Sequence, residues 1–397
     1  MSRDESAALP RGGPLAGVKV VEMAGIGPGP MCGMVLADAG AEVLRVDRPS
    51  PSGLGVPKPP RFDILARNRR SVAIDLKHPH GVACVLDLVR GADALLEGFR
   101  PGTMERLGLG PDVCLAARPS LVYGRITGWG QTGPLAKAAG HDINYIALSG
   151  ALHAVGRAGG PPTPPLNLLG DFGGGALYLA FGIVAALLHA RQTGTGQVVD
   201  ASIVEGTAGL ATSTYAMLAA GLQTDERGAN VLDSGAPYYD AYLCSDGLYL
   251  SVGAIEGKFR EILLEKLELD PAPFMAPDNP ATWPGLKAML AAKIRERTRA
   301  EWCALLEGTD ACAAPVLSMT EAPHHPHNAA RGSFLEVDGI VQPGPAPRFS
   351  GTPAALPRAP EPAGASTRAA LADWGIAADR IEALVRSGAA GTRGPTG

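Results

Sequence analysis

Cysteine is scarce and scattered. Cys32, Cys84, Cys114, Cys244, Cys303 and Cys312 are the only six in 397 residues, and no two form a C-x-x-C pair. Neither a disulfide scaffold nor a structural zinc site fits that spacing, which suits a reducing compartment. No charge dominates either: 35 Lys and Arg stand against 39 Asp and Glu, a formal net charge of -4. That balance excludes a chain built mainly for nucleic acid or an anionic membrane surface. The longest apolar run, residues 176–188, is thirteen residues, short of the roughly 20 that a bilayer demands. The opening fourteen residues mix charges without an apolar stretch, and the last three are not S-K-L. The expectation is a soluble, cytoplasmic protein with no membrane partner. Three common catalytic signatures are missing too: there is no G-x-S-x-G, no P-loop and no H-E-x-x-H.

What is present is an ordinary globular composition, 46% hydrophobic and 19% charged, with apolar material for a sizeable core and more than one domain. The first part alternates strand and helix signals. Strand patterns fall at residues 18–23, 42–46, 72–76, 94–99 and 121–126, with helical patterns at 31–39 and 81–90. Such alternation predicts βαβ units and a parallel, doubly wound α/β sheet, whose ligands bind beyond the carboxyl ends of the strands. A second region, near residues 235–315, reads differently. Ser245-Asp246-Gly247 between apolar runs predicts a hairpin. A helical pattern follows at 286–297, and Thr298 with Glu301 predicts a capping box for another helix, ended by Gly308. This is the pattern of a small α+β domain. Residues 342–362 hold seven prolines, which predicts an extended strap lying over other surfaces. Helical patterns at 368–374 and 378–386 close the chain.

Several motifs invite chemistry. Gly25-x-Gly27-x-Gly29 follows the first strand, with Asp47 at the end of the second, as in a dinucleotide fingerprint. Pro28 and Pro30 remove N–H groups that a pyrophosphate would need, so a tight strand-to-helix turn is the better reading. His324-His325-Pro326-His327 suggests a metal site, but the proline breaks helical ligand spacing and no cysteine lies near, which leaves a solvated loop. Two segments set polar residues among glycines: Gly140-His141-Asp142-Ile143-Asn144-Tyr145 and Asn167-Leu168-Leu169-Gly170-Asp171-Phe172-Gly173-Gly174. His141 and Asp171 suit general acid–base work. Asp171 equally suits a cap for the helix near residue 176, and spacing alone leaves both readings open.

At these residues the chain resembles the family III CoA-transferase superfamily, in its α-methylacyl-CoA racemase branch. The likeness runs through Val43-Leu44-Arg45-Val46-Asp47-Arg48-Pro49, Arg67-Asn68-Arg69-Arg70-Ser71, Glu97-Gly98-Phe99-Arg100-Pro101-Gly102 and Thr127-Gly128-Trp129-Gly130-Gln131-Thr132-Gly133-Pro134. It continues through the two polar segments, then Gly194-Thr195-Gly196-Gln197, Gly235-Ala236-Pro237-Tyr238-Tyr239, Gly253-Ala254-Ile255-Glu256 and Asp310-Ala311-Cys312.

The resemblance implies a catalytic pair at His141 and Asp171, supported by Glu256, with Asn167 and Tyr239 as further helpers. It puts CoA contacts at Arg48, Ile74, Asp75, Leu76, Lys77, Gly98, Phe99, Arg100, Arg106, and Gly140, His141, Asp142, Ile143, Asn144 and Tyr145. It implies an acyl-CoA substrate, with no metal, flavin or nicotinamide. A large Rossmann-like domain (residues 1–205), a linker helix (206–234), a small α+β domain (235–318), a linker (319–341) and a returning strap with helices (342–397) would make ring-shaped subunits of an interlocked homodimer. Two rivals remain: a CoA transferase of the same superfamily, with Asp171 as nucleophile, and an acyl-CoA-binding protein that has lost turnover.

Overall fold

A computed structural model of the chain describes residues 12–50, 53, 55–276 and 279–391. Most of the mixed-charge opening segment and the last three residues, on which the reading of targeting rested, lie outside the described residues. The chain divides into two compact units. One gathers the described residues of 1–149, 166–210 and 330–397, the other those of 150–165 and 211–329. Residues 150–165, expected inside the first domain, therefore cluster with the second unit, and residues 330–341 with the first.

The first unit is built on a parallel sheet of β1 (Lys19–Met23), β2 (Glu42–Asp47), β3 (Arg70–Ile74), β4 (Ala94–Glu97), β5 (Val122–Thr127) and β6 (Gln197–Ser202). Their order is β3-β2-β1-β4-β5-β6, and a short last strand, Ala390–Gly391, runs antiparallel along β3. Alternate residues face opposite sides. Val20, Val43, Leu96 and Val122 pack under the helices Pro28–Asp38 and Tyr178–Thr193. Val21, Leu44, Leu95 and Tyr123 pack under Pro79–Arg90, Thr367–Asp373 and Ala378–Arg386. The C-terminal helices thus complete this core, through Leu371, Ile381 and Leu384.

Three expectations for the elements of this unit need correction. The strand read at 72–76 ends two residues earlier, because Asp75 turns the chain by accepting the Lys77 N–H at 2.9 Å ahead of the Pro79 helix. The stretch read as a linker contains a hairpin of β10 (Phe334–Val337) and β11 (Ile340–Pro343); its two-residue turn, Asp338-Gly339, has positive φ at both positions. The thirteen-residue apolar run belongs to a helical stretch, Leu168–Thr193, of 26 residues, long and apolar enough by length and composition to cross a membrane. The run count stops at Gly175 and His189, and the helix does not. Here Ala176, Leu179, Ile183 and Leu187 of that stretch are buried against the sheet.

The second unit has an antiparallel sheet of β7 (Tyr239–Leu243), β8 (Tyr249–Gly253) and β9 (Ala313–Pro315). Leu250, Leu263, Leu290 and Trp302 share its core, and the Trp302 indole donates to Ile294 O at 2.7 Å. The capping box forms as expected: Thr298 N–H donates to Glu301 Oε2 and Glu301 N–H to Thr298 Oγ1. The histidine cluster is not a loop but a 3₁₀ turn, Ala322–His324, followed by a helix, Pro326–Arg331. Proline suits a first helical position, where its missing N–H costs nothing. Among the described residues no group of three or more His, Cys, Asp or Glu could hold a metal ion.

Candidate active site

The strand order reverses between β1 and β4, and in such sheets the chain leaving neighbouring strands in opposite directions opens a crevice at their carboxyl ends. A cleft of about 490 Å³ lies there. Its walls come from the turn after β1 (Ile26, Gly27, Pro28), Arg48 after β2, the loop after β4 (Gly98, Phe99, Arg100, Pro101, Thr103), and residues Ile126 to Trp129 at the end of β5. Ala136, Ala138, Ala139, Gly140, His141, Tyr145, Asp171 and Ile203 complete it.

Each wall has a local cause. Gly27 has φ 68°, which favours glycine. A Cβ there would also come within 3.0 Å of Asp171 Oδ2. The first glycine-rich turn therefore makes room for a carboxylate of its own chain. The loop after β4 is held from below by a buried ion pair. Glu97 accepts the Phe99 N–H at 2.7 Å on one oxygen and Arg125 Nε at 2.9 Å on the other, and Arg125 also reaches Glu105 at 2.8 Å. Burial still holds the Glu97 carboxyl above its usual range, against the pull of these partners.

His141 stands in extended backbone just before the helix Asp142–Leu148, and its N–H donates to Asn144 Oδ1 at 3.0 Å. Its side chain is exposed. Tyr145, one turn along, donates its hydroxyl to Gly140 O and meets the Trp129 ring edge-on, with centroids 4.8 Å apart. Asp171 lies within the π-helical turns Leu168–Leu177 rather than capping the helix that follows. Wide turns of this kind are rare and frequent at functional sites. Burial is the main force raising the Asp171 carboxyl, to about 6; the negative charge of Asp142 adds to it, while Asn167 (3.5 Å away) and His141 oppose it.

The structure thus gathers Arg48, Gly98, Phe99, Arg100, Gly140, His141, Tyr145 and Asp171 on one cleft. Other expected contacts lie elsewhere. The Ile74 side chain is consumed by the core and Leu76 packs against it. Asp75, Lys77 and Arg106 do not line the cleft, and Arg106 Nη2 donates to Thr103 Oγ1 at 3.0 Å. Ile143 and Asn144 are exposed on their helix, while Asp142 is buried. Glu256 belongs to the second unit, exposed at the start of the helix Gly257–Lys266. Tyr239 opens β7 and lines a cavity of about 1010 Å³ within that unit, together with Cys312. Sequence reasoning did not single out Trp129 or the Gly27 turn as cleft walls. The ordered glycines after the first strand and the Trp-Gly pair after the fifth were the available signals.

The chain matches CoA-transferase family III over residues 15–367. It is 47% identical to the α-methylacyl-CoA racemase of Mus musculus over 370 residues, covering 92% of this chain and 95% of that one. Against the α-methylacyl-CoA racemase of Homo sapiens it is 44% identical over 374 residues, covering 93% and 96%. A crystal structure of a CaiB/BaiF family protein from Brucella suis superposes with a TM-score of 0.78 at 27% identity, covering 91% of this chain and all of the other.

Proposed function

The chain belongs to CoA-transferase family III, and from that membership we propose that it is an α-methylacyl-CoA racemase, an isomerase interconverting the (2R) and (2S) forms of 2-methylacyl-CoA thioesters. The observation that carries this reading is the pairing of His141 and Asp171 on one cleft at the point where the strand order reverses.

A proton on the carbon next to a thioester carbonyl is weakly acidic. Its removal needs a base in contact and a donor for the enolate oxygen. Inversion needs a second group on the opposite face to deliver a proton. One of His141 and Asp171 takes the C2 proton, leaving an enolate, and the other returns a proton to C2, so no electrons are gained or lost overall. A carboxyl held near 6 can both accept and release a proton close to neutral pH. The backbone N–H of Asp142 is the proposed enolate donor. Asn167 and Tyr239 are proposed helpers, and Glu256 of the partner subunit orients the His141 ring and supports its imidazolium. Arg48 and Arg100 at the cleft offer planar, bidentate partners to the phosphates of CoA. Coenzyme A arrives as part of the substrate, and proton transfer of this kind calls for no metal, flavin or nicotinamide.

The reading includes a cytoplasmic homodimer of ring-shaped subunits with a shared site. Supporting it, the helix Tyr178–Thr193 exposes Phe181 at 76% and Leu188 at 60%, large apolar side chains of the kind that mark an interface. The competing chemistry, CoA transfer through an anhydride on Asp171, leaves His141 without a task. Incubating one enantiomer of a 2-methylacyl-CoA in deuterated water separates the two. Racemisation with deuterium entering C2, without an acceptor acid, is expected; strict dependence on an acceptor would refute the proposal.

A further inference from the structure

Asp142 follows His141 in the chain and is the first residue of the helix Asp142–Leu148. Only 9% of it is exposed. Its Oδ1 accepts the backbone N–H of Asp171 at 2.6 Å, and the Gly170 N–H also bonds to this carboxylate. Gly170 leaves room for that contact, since a Cβ there would overlap the same oxygen. The other oxygen, Oδ2, is buried and has no hydrogen-bond partner among the described residues. A buried, half-satisfied carboxylate is costly to fold around. An asparagine oxygen could accept the same two N–H groups without the charge, so the geometry of the tie does not by itself explain the aspartate.

We infer that the Asp142 carboxylate is a positioning residue for the proposed racemase: it ties the backbone of Asp171 to the helix that begins at His141, and sets a negative charge against the Asp171 carboxylate. The inference rests on the racemase reading, which it deepens. The tie fixes two segments far apart in sequence through one side chain, so the spacing of the two proton carriers does not depend on loop conformation. The charge acts on proton affinity. Facing Asp171 are His141 and Asn167, which favour its ionised form, and Tyr145, from the same helix as Asp142. The turn before Pro28 brings the uncharged Gly27 against Asp171, and the helix Ile203–Leu210 brings the uncharged Thr207 against Gly174. The like charge in this set is Asp142, and it adds to burial in raising the Asp171 carboxyl. That brings the carboxyl closer to the range of an imidazole, so a proton can sit on either base.

The test uses two variants of the full chain. Asp142→Asn keeps an acceptor and loses the charge. Its affinity for free CoA should match the parent and its melting temperature should be no lower, since the cost of the buried charge is gone; kcat should fall less than about tenfold, and the limb of the pH profile set by Asp171 should move acidic by about one unit. Asp142→Ala loses the tie as well, and kcat should fall about a hundredfold with KM little changed. An Asn variant whose limb does not move, or a folded Ala variant with kcat within about twofold of the parent, would overturn the inference. Titration of the Asp171 side chain by NMR in the unliganded protein, its signal identified by loss in Asp171→Asn, reads the same shift without turnover. A parent protein that fails to racemise would therefore count against the racemase reading, while the NMR shift in Asp142→Asn would still decide the role of Asp142. That measurement also decides the matter if the Ala variant does not fold.

Discussion

In the proposed mechanism His141 and Asp171 exchange roles with the direction of the reaction, so losing either stops both directions. His141→Ala and Asp171→Ala should each lower the racemisation rate by about a thousandfold from either enantiomer. Binding of free CoA should stay near normal, measured by calorimetry. Near-normal turnover by either variant would break the two-base assignment. Glu256→Gln, which keeps shape and loses only charge, should cost less. The raised carboxyl also leaves a trace in stability. A carboxyl at about 6 in the folded chain and near 3.9 when unfolded binds more protons folded than unfolded between those values. Stability is then lost as pH rises through that window. Asp171→Asn should therefore raise the melting temperature more at pH 7.5 than at pH 4, and an equal change at both would mean that the carboxyl is not raised. Hydroxylamine with acyl-CoA tests the rival chemistry at the same side chain. A proton carrier stays active, and a nucleophile trapped as its anhydride does not.

The elements that hold these residues are themselves held by buried polar groups. Arg67 is 3% exposed and forks onto Asp38, with contacts at 3.1 and 2.5 Å, while also donating to Gln342 Oε1 and Pro343 O. Asn68, at φ 64°, exchanges hydrogen bonds with Arg358 farther along the strap. Two adjacent residues thus fasten the proline-rich segment along the first unit. Arg67→Ala would leave the buried Asp38 carboxylate without its cation, holding the Asn68 Nδ2 hydrogen bond at 2.7 Å, a loss of about 3 kcal/mol. Chemical denaturation should show it, with proteolysis beginning near residues 342–362. Gly27→Ala acts on the site instead. It strains a positive φ and presses a methyl toward Asp171, so about a tenfold loss of kcat should accompany a modest fall in melting temperature. An unchanged kcat would mean that the carboxylate has other room.

For the whole molecule, the proposed interlocked homodimer makes two demands. The dimer should persist on dilution until the chains unfold, and sedimentation showing an active monomer would rule it out. If Glu256 serves the partner's cleft, co-expressed His141→Ala and Glu256→Ala chains should recover activity, because a mixed dimer has one site with both residues intact. Failure to recover any activity would place the glutamate in the same subunit as the histidine, or outside the site.

The strands at 18–23, 42–46 and 121–126 were legible because a sheet covered on both faces writes continuous apolar runs, bounded by glycine and charge, into the sequence. The Thr298 box and the Ser245 turn were legible because caps and tight turns are local chemistry. His141 and Asp171 stood out as polar residues among glycines, and the likeness to a family assigned them roles that spacing left open. Other features depended on where distant segments meet. The β6 strand, exposed on several residues, has no apolar run to announce it. The glycines of the π-helical turns around Asp171 let the helix Ile203–Leu210 close in, Gly174 lying against Thr207. Gly27 reads as an ordinary turn residue until Asp171 lies against it. Asp142 reads as a helix-start aspartate until its carboxylate meets a backbone N–H from 29 residues away. Local propensity and pattern are carried by neighbours in the chain. A charge set against another charge is made only when the fold brings them together.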